Sequence, residues 1–241
     1  MIQYSIVVPC YNEEKNIELI LQAFQDCLKR DDVEVILVNN GSTDGTRRLL
    51  EQVSQKYSFL RVVHVEMNQG YGFGILSGLK AAHGNVLGWT HGDLQTHPKD
   101  VLAALYVFDD TANPHAYVKG NRKGRKWSDR LFTFGMSLFE FVCLREWLPD
   151  INAQPNLFPR QFYETWKNPP HDFSLDLYAF YLAKKQGLLI KRLPVFFPPR
   201  IHGHSNWNTS LKGKWKFIKR TILFSLELRK RFRTDLPVDN S

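Results

Sequence analysis

The sequence predicts an α/β protein: a mostly parallel sheet with helices on its faces. Two observations predict it. Across residues 1–110, four short apolar runs are each followed by a stretch of helical spacing, the pattern of strands joined by right-handed crossovers. Polar residues of ligand type also stand just after those runs, at the C-terminal ends of the predicted strands, where open α/β sheets bind ligands.

The elements follow in order. Ile6-Val7-Val8 is a short buried strand, ended by Pro9-Cys10-Tyr11. Asn12 is the expected N-cap of the next helix, with Glu13 and Glu14 in its first turn. Ile17, Ile20, Leu21, Phe24 and Leu28 then repeat at helical spacing. Val33 to Val38 is the second strand, and Asn39 to Thr46 a polar turn before a helix that turns Leu49, Leu50 and Val53 inward. Leu60 to Val65 is the third strand. Asn68 to Gly74 is a glycine-rich stretch leading into a helix through Ala82. Val86 to Thr90 is the fourth strand, and Pro98 opens a helix to about Asp109, where its missing N–H costs nothing. The later residues are less regular. Ala116 to Lys119 reads as a fifth strand, Gly120 to Lys126 as a basic loop, and Trp127 to Leu148 as a helix. Leu175 to Lys185 is a further helix, stopped by Gly187. Leu188 to Ile190 and Val195 to Phe197 read as two strands, and Pro198 to Asn206 as a loop.

Composition narrows the function classes. The net charge is +8, but nine of the basic residues and only one acid, Glu227, lie between Leu211 and Arg233. Removing them from 32 basic and 24 acidic residues leaves 23 of each. The excess is therefore local, which argues for one anionic partner surface and against a nucleic-acid binder. Leu211, Trp215, Ile218, Ile222 and Leu226 form an apolar stripe there with basic flanks. That pattern reads as a basic amphipathic helix lying on an anionic membrane surface, or as a helix packed on the domain with a solvated basic face. No run approaches the length of a membrane span, and no secretory leader is evident. Three scattered cysteines (Cys10, Cys27 and Cys143) suit a reducing cytoplasm and give no metal-site spacing.

The chemistry concentrates in Thr90-His91-Gly92-Asp93-Leu94-Gln95-Thr96-His97-Pro98. Asp93 and Gln95 are two apart, so in an extended turn their oxygens can point the same way. Two hard oxygen ligands plus substrate phosphates are a usual way to hold Mg²⁺ or Mn²⁺. Read alone, the stretch is equally a surface turn in which Asp93 caps the helix. The Asn39–Thr46 turn suits a nucleotide's base or ribose, or is simply a cap and a glycine turn. Gly70-x-Gly72-x-Gly74 has neither the spacing nor the place of a dinucleotide fingerprint, and is expected to let a helix approach the sheet or a ligand closely. Arg122, Arg125, Arg130 and Arg200 are candidates for phosphate contact. Arg122 and Arg200 both follow predicted strands, whereas Arg125 is expected to be a solvated surface residue. The histidines form no convincing zinc set.

Taken together, these motifs resemble family-2 glycosyltransferases of the GT-A fold, and within them the dolichyl- or polyprenyl-phosphate sugar synthases. Val7-Val8-Pro9-Cys10-Tyr11-Asn12-Glu13-Glu14 matches the family's V-V-P-x-Y-N-E-E opening. Val38-Asn39-Asn40-Gly41-Ser42-Thr43-Asp44-Gly45-Thr46 matches V-D-D-G-S-x-D-G-T with both leading acids replaced by Asn. Asn68-x-Gly70 matches N-x-G, and Gly92 to Pro98 resembles D-A-D-L-Q-H-P with His91 at the first acid. Arg200-x-x-Gly203-x-Ser205 resembles the late R-x-x-G-x-S motif.

The resemblance implies a GT-A domain over 1–210, divided into a nucleotide-sugar half (1–110) and an irregular acceptor half (111–210). The basic amphipathic helix and tail occupy 211–241. It implies that Pro9, Tyr11, Glu13, Asn40, Ser42, Gly70, Asp93, Arg200 and Ser205 bind the nucleotide sugar. Asp93 and Gln95 would hold Mg²⁺ or Mn²⁺, and Arg122, Arg130 and Arg200 would face the donor and acceptor phosphates. Asp176 falls where family members carry an acid in the acceptor half. The expected reaction is inverting, metal-dependent transfer from a UDP- or GDP-sugar to a polyprenyl phosphate at the cytoplasmic membrane face, by a peripheral protein and possible homo-oligomer. An ionised phosphate acceptor needs no strong base; a hydroxyl acceptor would, with Asp176 as candidate. A lipid-linked saccharide or surface polysaccharide is an alternative acceptor. The losses of acid at positions 39, 40 and 91 leave open a nucleotide-sugar-binding subunit with weakened catalysis.

Overall fold

The computed structural model describes residues 1–109, 114–198 and 211–233. In chain order the elements begin β1 (Tyr4–Cys10), α1 (Glu14–Cys27), β2 (Val33–Asn40), α2 (Thr46–Val53), β3 (Leu60–Val65), α3 (Tyr71–Ala81), β4 (Val86–Trp89) and α4 (Pro98–Asp109). They continue with β5 (Ala116–Lys123), α5 (Trp127–Leu144), β6 (Asn156–Pro159), α6 (Arg160–Glu164), α7 (Ser174–Lys185), β7 (Leu189–Phe196) and α8 (Leu211–Arg233). The seven strands form one sheet in the order β3-β2-β1-β4-β6-β5-β7. β1 pairs in parallel with β2 and β4, and β2 with β3. β6 runs antiparallel to both β4 and β5, and β5 pairs in parallel with β7. Two antiparallel steps restore direction, so β5 ends on the same sheet edge as β4.

Alternation along the buried strands divides the core into two layers. Val7, Ile36, Val38, Leu87, Trp89, Tyr117 and Phe158 face one layer, covered by α3, α7 and the buried side of α8. Ile6, Val8, Val35, Leu37, Val118 and Leu157 face the other, covered by α1, α2 and α4. Ile17, Ile20, Leu21 and Phe24 of α1 are buried there, each contributing about 1.5–3 kcal/mol of apolar burial.

Several sequence expectations change. Asn12 is not a helix cap. It adopts a left-handed φ of 57°, and its Oδ1 accepts the Thr43 N–H at 2.8 Å. The start of α1 is capped from the neighbouring turn instead: Thr46 Oγ1 accepts from Glu13 N at 3.0 Å and Asp44 Oδ2 from Glu14 N at 3.3 Å. Half of the expected basic loop is strand, since β5 continues to Lys123. α5 stops at Leu144, where Arg145 turns left-handed at φ 59° and its N–H returns to Phe141 O. β6 and α6 are new elements; a four-residue strand preceded by Pro155 and ending in Pro159 carries turn chemistry rather than strand chemistry. The two late apolar runs are one strand, β7. Its Pro194 is tolerated because β7 is an edge strand.

α8 occupies the residues expected of the amphipathic helix and packs on α5 and α7. It buries Phe224, Ser225 and Leu228, while Trp215, Leu223 and Leu226 are exposed. Glu140 of α5 is fully buried in this contact and accepts the Ser225 hydroxyl at 2.8 Å. Burial raises its carboxyl from an ordinary 4.5 to about 7, with the Ser225 hydrogen bond pulling the other way. The folded protein therefore holds a proton that the unfolded chain releases between pH 4.5 and about 7. Stability is expected to fall as pH rises through that window. Glu140→Gln is expected to flatten that fall, recovering up to about 3 kcal/mol at pH 8. Urea denaturation at pH 5 and pH 8 checks this; an unchanged pH dependence would contradict it.

Candidate active site

The parallel strands end on one edge, and the polar turns that follow them converge there. β1 delivers Pro9 and, just beyond it, the exposed Tyr11. β2 delivers Asn39 and Asn40, both buried. Asn39 Oδ1 accepts from Ser42 N at 3.1 Å, and Ser42 Oγ accepts from Asn12 N at 3.1 Å. Glu13 accepts from Asn16 Nδ2. Asn40 Nδ2 donates to the Gly70 carbonyl at 3.0 Å. Gly70 has φ +113°, and a Cβ there would stand 2.4 Å from His171 O, so glycine is required by both conformation and space. A Cβ on Gly74 would stand 2.8 Å from the Asn40 side chain. The glycines of α3 thus lie inside the helix and let it close on the strand ends and on the 170–172 loop, the close approach expected of them.

β4 delivers His91, Asp93 and Gln95. Asp93 is 3 % exposed; its Oδ1 accepts the Gln95 N–H at 3.1 Å, and its Oδ2 stands 4.0 Å from His91 Nδ1. Gln95 Nε2 donates to Pro198 O at 2.8 Å. The amide nitrogen is thereby engaged, and its oxygen is the atom of metal-ligand type. One carboxylate and one amide oxygen fit a hard divalent cation that completes its shell with diphosphate oxygens. They do not fit a cation held by protein alone, and among the described residues no group of three His, Cys, Asp or Glu side chains could hold one.

Beneath the edge lies a buried polar network. Asp176 of α7, 1 % exposed, accepts from Gln154 Nε2 at 2.8 Å, Asn156 Nδ2 at 3.1 Å and Trp89 Nε1 at 3.3 Å. Asn156 Oδ1 in turn accepts from Lys119 Nζ at 2.7 Å and Tyr117 Oη at 2.9 Å. Burial pushes the Asp176 carboxyl above its ordinary range, against the pull of the nearby Lys119. Burial lowers the Lys119 ammonium from 10.5 to about 7. Gln154 Nε2 also donates to Tyr71 Oη at 3.2 Å. The Tyr71 ring stacks on Phe173 at 4.5 Å and lies 5.9 Å from His91. Asp176 therefore supports the site from behind, a position in which it meets no solvent.

Arg122, at the end of β5, belongs to a second cluster on the same edge. Asp150 accepts from Arg122 N at 3.0 Å, from its Nε at 2.9 Å and from its Nη2. Arg125 is not a surface residue: its side chain is 14 % exposed and contacts Asp150 at 3.4 Å and Thr133 Oγ1 at 2.9 Å. β5 runs on into the expected loop as far as Lys123, and Arg125 follows two residues after its end. A cavity of about 40 Å³ joins Arg122 to Phe132, Phe173 and Leu177. Arg130 stands apart on the exposed side of α5, 5.8 Å from the Trp127 ring. Arg200 and Ser205 lie outside the described residues. Sequence reasoning missed Tyr71, Asp150, Gln154 and Asn156. The last two were signalled by amides interrupting the Ile151–Phe158 apolar run.

A Rossmann-like sheet whose strand ends gather a buried carboxylate, paired amides and helix starts is the frame of GT-A glycosyltransferases. Comparison with known proteins agrees. Residues 5–185 match the family model "Glycosyl transferase family 2". The chain belongs to that family. It is 27 % identical over 216 residues to an uncharacterised glycosyltransferase of Synechocystis, covering 86 % of this chain and 65 % of that one. It is 27 % identical over 153 residues to the undecaprenyl-phosphate 4-deoxy-4-formamido-L-arabinose transferase of Pseudomonas fluorescens, covering 58 % and 45 %. It is 30 % identical over 122 residues to the dolichol-phosphate mannosyltransferase of Pyrococcus furiosus, covering 49 % and 34 %. The chain thus spans less than two thirds of the length of these relatives. The glucosyl-3-phosphoglycerate synthase of Mycobacterium tuberculosis, solved with Mn²⁺, UDP and phosphoglyceric acid, shares the fold at a TM-score of 0.72 and 18 % identity, over 94 % of this chain and 78 % of that one.

The Arg122–Asp150 pair makes a prediction. Burial raises the Asp150 carboxyl, but the Arg122 hydrogen bonds and charge outweigh it, so the net shift is downward. Its contribution to stability is present above the ordinary carboxylate pKa and lost as pH falls below it. Asp150→Asn is expected to cost about 3 kcal/mol at pH 7. The deficit should shrink toward pH 3, and urea denaturation at the two pH values measures it. An equal deficit at both would contradict the charge account.

Proposed function

We propose that this glycosyltransferase moves a sugar, with inversion, from a UDP- or GDP-sugar to a polyprenyl phosphate at a membrane face. The observation that carries the reading is the convergence of Asp93, Gln95, Asn40 and Gly70 at the ends of the parallel strands, beside the Arg122 cluster on the same edge. The relatives named for undecaprenyl-phosphate and dolichol-phosphate transfer support the acceptor class.

In this reading Pro9, Tyr11, Glu13, Asn40, Ser42 and Gly70 line the nucleotide side. Asp93 and Gln95 hold Mg²⁺ or Mn²⁺ together with the donor diphosphate. When bound, the cation supplies Lewis-acid stabilisation of the leaving diphosphate. Arg122, Arg130, Arg200 and Ser205 are assigned to the donor and acceptor phosphates, where guanidinium groups offset charge that grows on the leaving group. A phosphate acceptor is already ionised near neutral pH and needs no general base. That suits a site in which the buried acid of α7, Asp176, is held below the strand ends by three donors. Asp176 acts as a positioning residue, fixing Gln154 and through it Tyr71.

The test is transfer from a panel of labelled UDP- and GDP-sugars to a short polyprenyl phosphate, with Mn²⁺ or with EDTA. Lipid-linked product that disappears with EDTA is expected. Asp93→Ala should lower turnover by about 100-fold or more. Full turnover by that variant would overturn the metal role, and product formed only on a non-phosphate acceptor would overturn the acceptor assignment.

A further inference from the structure

Helix α5 exposes more large apolar side chains than it buries, with Cys143 and Leu144 buried only near its C-terminal end. A helix on a sheet face ordinarily buries its apolar stripe and shows polar residues outward. α1 does so, with Glu18, Gln22, Gln25 and Asp26 exposed. The side that α5 buries includes Ser137 and Glu140. The side it exposes carries Trp127, Leu131, Phe134, Leu138, Phe141 and Val142. Trp127 and Val142, near its two ends, are each 72 % exposed. The spacing of four, three, four and three places the first five on one stripe, about 21 Å long at helical rise. Trp147 extends the patch, packing on Phe134 at 5.8 Å and on Phe141 at 6.3 Å. A continuous apolar patch of this size on a soluble face marks an interaction surface.

The charge around the patch selects the partner. Lys123, Lys126, Arg130 and Arg145 are exposed along α5 and at its ends, against one exposed acid, Asp129. α8, packed alongside, exposes Lys219, Arg229 and Lys230. A second copy docked about a two-fold axis would set this basic rim against itself. A surface of anionic lipid headgroups would meet it with the opposite charge, while the apolar stripe enters the headgroup–acyl boundary. Trp127 and Trp147 suit that boundary, having an apolar body and a polar N–H. No helix among the described residues is long and apolar enough to cross a membrane, so the geometry is that of a helix lying in the interface.

We propose that α5, rather than the basic helix α8 alone, is the element that inserts into an anionic lipid surface. The assignment rests on the membrane-face reading above and locates it. Arg122, in β5 five residues before α5 begins, shares a cavity with Phe132 and Met136 of that helix. The docked stripe would therefore lie beside the residues assigned to the acceptor phosphate.

Flotation with vesicles of phosphatidylglycerol and phosphatidylcholine in equal parts tests it on the full chain. The combined variant Leu131→Glu, Phe134→Glu and Phe141→Glu is expected to lower vesicle partitioning by about tenfold or more. Phe134 and Phe141 also pack on Trp147, so the thermal midpoint is measured on the same variant to establish that it is folded. Trp215→Glu with Leu226→Glu on α8 should lower partitioning less. Wild-type-like flotation by the α5 variant would overturn the proposal. So would a wild-type dimer that becomes monomeric in the variant with flotation unchanged, which would assign the stripe to a second copy. Transfer to detergent-dispersed short polyprenyl phosphate, measured on the same variant, separates the two readings. Retained transfer with lost flotation supports α5 as the docking element. Wild-type flotation without transfer to that acceptor would count against the acceptor assignment and leave the docking result standing.

Discussion

Asp176 is a carboxylate buried beneath the strand ends and surrounded by three donors from β4, β6 and the loop before β6. Burying such a group unpaired is costly, so its partners are held to hydrogen-bonding geometry. That constraint spreads. Asn156 carries it across β6 to Lys119 and Tyr117 of β5, joining the two halves of the sheet. Gln154 carries it to Tyr71 at the start of α3 and so to the edge where His91 and Asp93 stand. The network joins the strand-end turns of both halves of the sheet to one buried base, which is what a site built from loops needs.

The replaced acids take on a physical meaning in this frame. Asn40 donates to the Gly70 carbonyl, which a carboxylate cannot do. Asn39 accepts from Ser42 N with its oxygen and has its amide nitrogen 3.4 Å from His64 Nδ1. Both amides thus close turns at the strand ends while lowering the negative charge where a diphosphate would bind. His91 stands beside Asp93 and against the Tyr71 ring, a place that suits an imidazole face as well as a ring nitrogen.

The first half of the chain was legible because each signal there is local: an apolar run, a turn, then a helical period. β1 through α4 follow the expected elements, with Pro98 opening α4. The second half was less legible because its determinants are long-range. β6 is short and bounded by prolines, and is a strand only because β4 and β5 flank it. Arg125 looked solvated because nothing near it in sequence announces Asp150, 25 residues on. The residues at the candidate metal site were readable from one motif. Their support, Gln154, Asn156 and Tyr71, was not, since it exists only once α7 packs under the sheet. The exposed stripe of α5 had the right period for a core helix, and only packing reveals which side faces out.

The central claim is that the strand-end turns form a nucleotide diphosphate site completed by a divalent cation on Asp93. Calorimetric titration of UDP and of GDP into the wild-type chain and into Asp93→Ala, each with Mn²⁺ and with EDTA, tests it most directly. The account predicts that one of the two nucleotides binds the wild-type chain with Mn²⁺, and that EDTA or Asp93→Ala weakens binding by about tenfold or more. Binding of equal strength in all four conditions, or no binding of either nucleotide in any of them, would contradict it.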